Sequence, residues 1–184
     1  MPDDNCYNCY TNKQNRQMPN STGRKVLTRL SKVFYEVIPP QYKTYCALTS
    51  RISYSVCRRF GHEASVIPCQ LSLAIPNQVF LFGFIDPPPQ AQWNGHAICT
   101  SDGYLFDAAL AHCKKFVENI PDSIATPLAP PFATAIARTT LDQGTNVALW
   151  WLPTPSGFDT ALPDEPEGLI EQLAERLFKR LLIL

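Results

Sequence analysis

Residues 45–53 read YCALTSRIS, and the cysteine stands where a loop is predicted to become a helix. The spacing predicts a helix from about Cys46 to Phe60, ended by Gly61 just beyond it. Its buried stripe consists of residues four apart, Leu48, Ile52, Val56 and Phe60. A cysteine in the first turn lies at the positive end of the helix dipole, which stabilises a thiolate. Cys46 is therefore the candidate nucleophile.

Two later segments each carry one polar residue among strand-forming residues. Gln92 to Thr100 and Tyr104 to Ala108 are predicted strands, and Ser101-Asp102-Gly103 between them predicts a hairpin turn. A turn centred on Asp102-Gly103 would place His96 and Asp107 on one face, about one pairing position apart. Because strands disfavour an unpartnered Asp, we expect Asp107 to have a partner there.

Cys46, His96 and Asp107 together match the needs of thiol catalysis. The thiol must ionise, a base must handle its proton, and a third group must orient that base. We predict Cys46 as the nucleophile, His96 as general base and acid, and Asp107 as the carboxylate that fixes the imidazole. We expect the Cys46 sulfur within about 4 Å of a His96 ring nitrogen.

Residues 42–110 resemble the transglutaminase-like branch of the papain-like cysteine protease superfamily. The matching text is TYCALTSRISYSVCRRFGHEASVIPCQL, then NGHAIC, then DGYLFDAAL. The resemblance implies a Cys-bearing helix packed on an antiparallel sheet, and the same roles for the three residues. The strand departs from the family in having fewer apolar residues after its histidine. No side chain is an evident oxyanion donor: Gln41, Trp93 and the backbone N–H groups at the helix start are the alternatives.

The rest of the chain predicts an α+β domain. Helices are expected from about Ser21 to Pro39, over 108–117, and over 167–184. A strand from Glu63 contains Pro68, which favours an edge or a bulge, whereas the apolar 79–85 strand is expected to be central. Residues 146–152 predict a last strand, and 119–145 have no clear period. We predict a polar tail over 1–20 and one domain over 21–184.

The composition argues against several classes of function. The 184 residues are 45% hydrophobic and 17% charged, with 16 basic and 16 acidic residues and no net charge. Such a balance does not favour nucleic acid or an anionic membrane as a partner. The acidic start without an apolar run predicts no signal peptide, and no run is long enough for a membrane span. The seven cysteines then indicate free thiols in a cytoplasmic protein.

Other Cys and His residues have simpler interpretations. Buried structural thiols are expected at Cys57, Cys69, Cys99 and Cys113. His62 is expected in a solvated loop and is the alternative base, and His112 is expected at the surface. Cys6 and Cys9 are half a zinc site at best, and a site from Cys57, His62 and Cys69 has poor spacing, so no metal or cofactor is predicted.

The predicted function is a thiol enzyme that cleaves or transfers an acyl or amide group through a thioester on Cys46. Hydrolysis of a peptide or isopeptide bond in a protein or peptide substrate is favoured over transglutamination, because no amine pocket is evident. Acyl transfer from coenzyme A has no Gly-rich phosphate loop or basic cluster to support it. The alternative is a non-catalytic binding module with an inert Cys46. The wide apolar face of the 167–184 helix is expected to pack on the sheet or to mediate self-association or partner binding.

Overall fold

The computed structural model describes residues 21–85, 93–131, 133–141 and 146–184. The predicted tail with Cys6 and Cys9 lies outside these residues. The helices are α1 (Ser21–Val37), α2 (Cys46–Arg59) and α3 (Glu167–Leu182). The strands are β1 (Ala64–Ile75), β2 (Gln78–Phe82), β3 (His96–Ser101), β4 (Tyr104–Asp107), β5 (Ile124–Pro127), β6 (Ala137–Leu141) and β7 (Val147–Pro153). Short 3-10 helices span Pro40–Tyr42 and Ala111–Lys115.

Within the described ranges the strands form one antiparallel sheet in the order β5-β4-β3-β1-β7-β6, and β2 pairs with β1. An isolated bridge between Leu128 and Ala137 brings the end of β5 to the start of β6, so the sheet curls into a near-barrel. The expected α+β class, with helices on an antiparallel sheet, is confirmed at this level.

Two apolar cores lie on opposite faces of the sheet. The inner one fills the curl of the sheet and includes Leu71, Ile98, Leu105, Leu149 and Trp151. The outer one joins the sheet to the three helices and includes Phe34, Ile52, Cys99, Phe106 and Leu177. Neighbours on β3 and on β4 thus alternate between the cores, as the two-residue period of a strand requires.

The strand β1 lies inside the sheet, but at Pro68 it is paired only with β3 among the described strands, so the proline lies at a local edge as expected. β1 pairs with β3 on one side and with β7 on the other. The β7 pairing begins only at Cys69, so Pro68 lies beyond the end of that ladder. Its carbonyl oxygen accepts a bond from the Thr154 hydroxyl at 3.1 Å.

The strand β2 lies at the rim, which corrects the prediction that this apolar segment is central. Within the part of the chain that the structure describes, it pairs with β1 alone. Val79 and Leu81 are 64% and 43% exposed, whereas Phe80 stacks on Phe116 with the ring centres 3.9 Å apart. The segment is apolar on both faces because one side packs on the 3-10 helix and the other borders a cavity at Leu81.

The apolar face of α3 packs on α1 and α2 rather than on the sheet. Its buried residues are Ile170, Leu173, Ala174, Leu177 and Leu181. Leu182, Ile183 and Leu184 stay exposed beyond them. Among the described residues no helix is long and apolar enough to cross a membrane.

Candidate active site

Cys46 is the first residue of α2, as the sequence predicts. The 3-10 turn Pro40–Tyr42 leads into it, and Tyr45 N–H donates to the Tyr42 carbonyl at 3.0 Å. The first N–H groups of a helix have no intrahelical partner, so unpaired donors surround the cysteine. Its side chain is 9% exposed, and its Sγ lies 3.7 Å from the Gly95 carbonyl oxygen. The thiol therefore meets the strand that follows Gly95.

The hairpin β3–β4 holds His96 and Asp107 against each other. Asp102 and Gly103 both have positive φ, at 48° and 80°, which matches the expected Asp-Gly turn. In this register His96 and Asp107 are diagonal neighbours on the inner face of the sheet. His96 Nε2 lies 2.7 Å from Asp107 Oδ2. The Cys46 sulfur lies near enough to the same imidazole to raise its pKa. The three predicted residues are thus brought together.

Asp107 is fully buried and accepts three hydrogen bonds. Besides the bond with His96, Oδ2 accepts one from the Trp151 indole N–H at 2.7 Å, and Oδ1 accepts one from the Ala109 N–H at 2.9 Å. Sequence reasoning missed Trp151. The one available signal was its place in a predicted strand with an apolar face, and that pattern does not tell a core tryptophan from a hydrogen-bond donor to a carboxylate.

His96 and Asp107 each shift the pKa of the other toward its charged form. Burial favours a lower pKa for His96, but the Asp107 carboxylate, its hydrogen bond and the Cys46 thiol together raise the pKa to about 10. Burial likewise acts to raise the pKa of Asp107, but the His96 charge and the three hydrogen bonds lower it below the usual value. At neutral pH the pair is therefore an imidazolium and a carboxylate.

Two cavities meet at Cys46. The imidazole-side cavity has a volume of about 520 Å³, and the helix-side cavity has one of about 410 Å³. The imidazole-side cavity is lined by Leu81, Ile85, His96, His112, Lys115 and Phe116, among others. The helix-side cavity is lined by Tyr45, Ala47, Trp93, Pro163 and Glu165, among others. Thr44, Cys46 and Gly95 border both. The thiol thus lies between two spaces that could hold the two halves of a substrate.

Two glycines allow the loop beside the thiol to pack closely. A Cβ on Gly83, whose φ is 81°, would lie 2.6 Å from the His96 backbone nitrogen. A Cβ on Gly95 would lie 2.3 Å from the Phe84 ring. The Gln70 side chain fixes the same loop by donating to the Gly83 carbonyl at 3.0 Å. Sequence reasoning gave none of these three residues a role.

The remaining candidates lie elsewhere or differ from expectation. Gln41 is exposed in the 3-10 turn and lines neither cavity at Cys46. His62 is buried rather than solvated, and its Nδ1 lies 2.7 Å from Asp102 Oδ2, which gives it a separate carboxylate partner. Trp93 does line the helix-side cavity.

His112 is half-buried beside the site, not at the surface as expected. Its ring centre lies 5.7 Å from that of His96 and 4.6 Å from that of Phe82. Burial, followed by the charge of His96, lowers the pKa of His112 to about 4, so it is neutral near pH 7. The 3-10 helix that carries it is too short to show an apolar period, so no sequence pattern indicates which way the ring points.

Comparisons with known proteins add little to this geometry. No family model matches the chain, and no curated protein matches it. One solved structure, named "The crystal structure of genomics APC5867", is 14% identical and covers 87% of this chain and 78% of its own. Its TM-score is 0.40, which is too low to support a shared fold.

Proposed function

We propose that the chain is a thiol enzyme with a transglutaminase-like core, in which Cys46 forms a thioester with an acyl or amide substrate. The observation that carries this proposal is the buried His96, hydrogen-bonded to Asp107 at 2.7 Å, with the Cys46 sulfur 3.7 Å from the carbonyl oxygen of the preceding residue, Gly95. A buried imidazolium and carboxylate are costly to maintain as a purely structural pair. Beside a thiol that opens onto two cavities, the same pair has a chemical use.

The reaction follows from the positions of the groups. With the proton of the Cys46 thiol held by His96, the sulfur attacks the carbonyl carbon as a thiolate, and the N–H groups at the start of α2 stabilise the oxyanion that forms. His96 donates its proton to the leaving nitrogen, the C–N bond breaks, and an acyl thioester remains. Water then attacks the thioester, His96 takes its proton, and the C–S bond breaks to release a carboxylate. Asp107 keeps the imidazole oriented throughout.

Hydrolysis of a peptide or isopeptide bond is the favoured outcome. Both cavities are open at the surface beside the thiol, so water can reach a thioester there. The other candidate is a binding module on the same scaffold with an inert thiol. Its supporting observation is that Cys46 is only 9% exposed.

The test is the rate at which iodoacetamide alkylates each cysteine at about pH 6, where ordinary thiols are almost wholly protonated. We expect Cys46 to react at least about tenfold faster than each of the other six cysteines. His96→Gln should abolish this advantage, because the imidazolium that stabilises the thiolate is lost. The matched control is His62→Gln, since His62 is also bound to a carboxylate at 2.7 Å.

The two candidates give different results. Preferential alkylation of Cys46 that survives His62→Gln and is lost in His96→Gln supports the enzyme. A Cys46 that reacts no faster than the buried cysteines contradicts it and favours the binding module.

A further inference from the structure

The positions of the catalytic groups determine which cavity takes which half of the substrate. A general acid must reach the leaving nitrogen, and His96 borders the imidazole-side cavity but not the helix-side one. Ala47, the second residue of α2, borders only the helix-side cavity, so the unpaired N–H groups of the helix start lie toward that side. The leaving group therefore occupies the imidazole-side cavity, and the acyl group occupies the helix-side cavity.

The helix-side cavity carries one charged side chain among its lining residues, Glu165. Within the described part of the chain, no hydrogen bond or ion pair holds this carboxylate, although Glu165 also borders a second cavity with Arg51, which is near enough to act on it electrostatically. Burial raises the pKa of Glu165, with the charge of Arg51 acting in the opposite direction. A partly buried carboxylate without a direct partner is favoured to pair with a cation.

Two aromatic residues of the helix-side cavity also suit a cation. Tyr45 and Trp93 line the same cavity, and aromatic faces attract ammonium and guanidinium groups. The imidazole-side cavity has the opposite character. It is mostly apolar, and its charged lining residue other than His96 is the basic Lys115.

From this arrangement we propose that the helix-side cavity is the subsite for an acyl group with a cationic side chain, and that Glu165 is its counter-charge. The inference rests on the proposed function, because it takes Cys46 as the nucleophile. It adds the chemical class of the substrate: a peptide cut after a lysine or arginine residue, with an apolar residue on the leaving side.

The experiment uses two affinity labels that differ only in charge character, the chloromethyl ketones of Nα-acetyl-lysine and Nα-acetyl-norleucine. Each forms a thioether with the Cys46 sulfur and releases chloride. The rates of labelling of the intact protein are divided by the iodoacetamide rate of the same variant, so that intrinsic thiol reactivity cancels. We expect the lysine label to react at least about tenfold faster, the size typical of a charge-assisted pair partly shielded from water.

Glu165→Gln should bring the ratio of the two labels to about one without changing the iodoacetamide rate. The matched control is Glu167→Gln, because Glu167 is exposed and lies outside the helix-side cavity. Loss of the ratio in Glu165→Gln alone supports the proposal. A wild-type ratio near one, a ratio that persists in Glu165→Gln, or failure of both labels at a Cys46 that iodoacetamide does modify would overturn it.

The failure of the proposed function gives a separate result. If iodoacetamide does not modify Cys46 ahead of the other cysteines, the nucleophile itself is wrong. If it does, and the label ratio is near one, the thiol enzyme stands and only the cationic subsite is wrong.

Discussion

Asp107→Asn is the substitution that probes the buried cluster most sharply. The carboxylate accepts three hydrogen bonds, two at Oδ2 and one at Oδ1. An asparagine of the same shape has one acceptor oxygen. Its NH2 group must therefore face either the Ala109 N–H or both His96 and Trp151. At best one buried donor is left unpaired, at a cost of about 1–3 kcal/mol. Loss of the negative charge beside His96 adds to this, and breaking a buried ion pair costs about 3–5 kcal/mol in total. We expect the free energy of unfolding at neutral pH to fall by about 3 kcal/mol.

The same substitution should also change how the free energy of unfolding depends on pH. The pKa of His96 is raised to about 10 in the folded protein, from about 6.5 in an unfolded chain. Protonation of His96 therefore stabilises the fold fully below about pH 6.5, and this contribution is lost as the pH rises toward 10. In Asp107→Asn the partner charge is absent, so the slope should flatten and the two proteins should converge as the pH rises.

The measurement is urea unfolding followed by tryptophan fluorescence, at about pH 6.5, 8 and 9.5. Asp122→Asn serves as the control. Asp122 pairs with Lys43 and Lys114 at the surface, where such pairs are worth at most about 1 kcal/mol. A buried ion pair between His96 and Asp107 is contradicted if Asp107→Asn lowers the free energy of unfolding no more than Asp122→Asn does, or if it leaves the alkaline slope unchanged.

Three further substitutions test the surroundings of the site. Gly95→Ala should slow alkylation of Cys46 and lower the melting temperature, since its Cβ would lie 2.3 Å from the Phe84 ring; an unchanged rate would contradict the close packing. Gly168→Ala, in α3 with no atom within 4 Å of the new Cβ, should raise stability by up to about 0.5 kcal/mol in the same melts. Trp151→Phe should lower the NMR-measured pKa of His96 less than Asp107→Asn does, because it removes a donor to the carboxylate and not the charge; an equal drop would show that the indole matters as much as the charge.

The parts of the structure that local patterns determine could be predicted from the sequence. Helix α2 begins at Cys46 because a proline-rich turn precedes it and a four-residue apolar spacing follows. The Asp102-Gly103 turn fixes the register of β3 and β4, and the register in turn brings His96 to Asp107. The approach of Cys46 to His96 is expected from the needs of thiol catalysis and from the family resemblance, since no local pattern relates a helix start to a distant strand.

The missed features depend on long-range packing. β5 and β6 have four and five residues in a stretch without a clear period, and pairing with their neighbours defines them as strands. Glu165 lies in the segment 153–166, which is predicted to be a loop. Its position at the helix-side cavity depends on how that loop packs near the start of α2. Such long-range contacts cannot be predicted from any one stretch of sequence.

Trapping the acyl-enzyme is the decisive test of a thioester at Cys46. The protein is mixed with p-nitrophenyl acetate, quenched in acid after a short time, digested and analysed by mass spectrometry. We expect one acetyl group on Cys46, released with time in water, absent in Cys46→Ala and formed much more slowly in His96→Gln than in His62→Gln. Acetylation spread over other residues, or equal in Cys46→Ala, would contradict a thioester at Cys46.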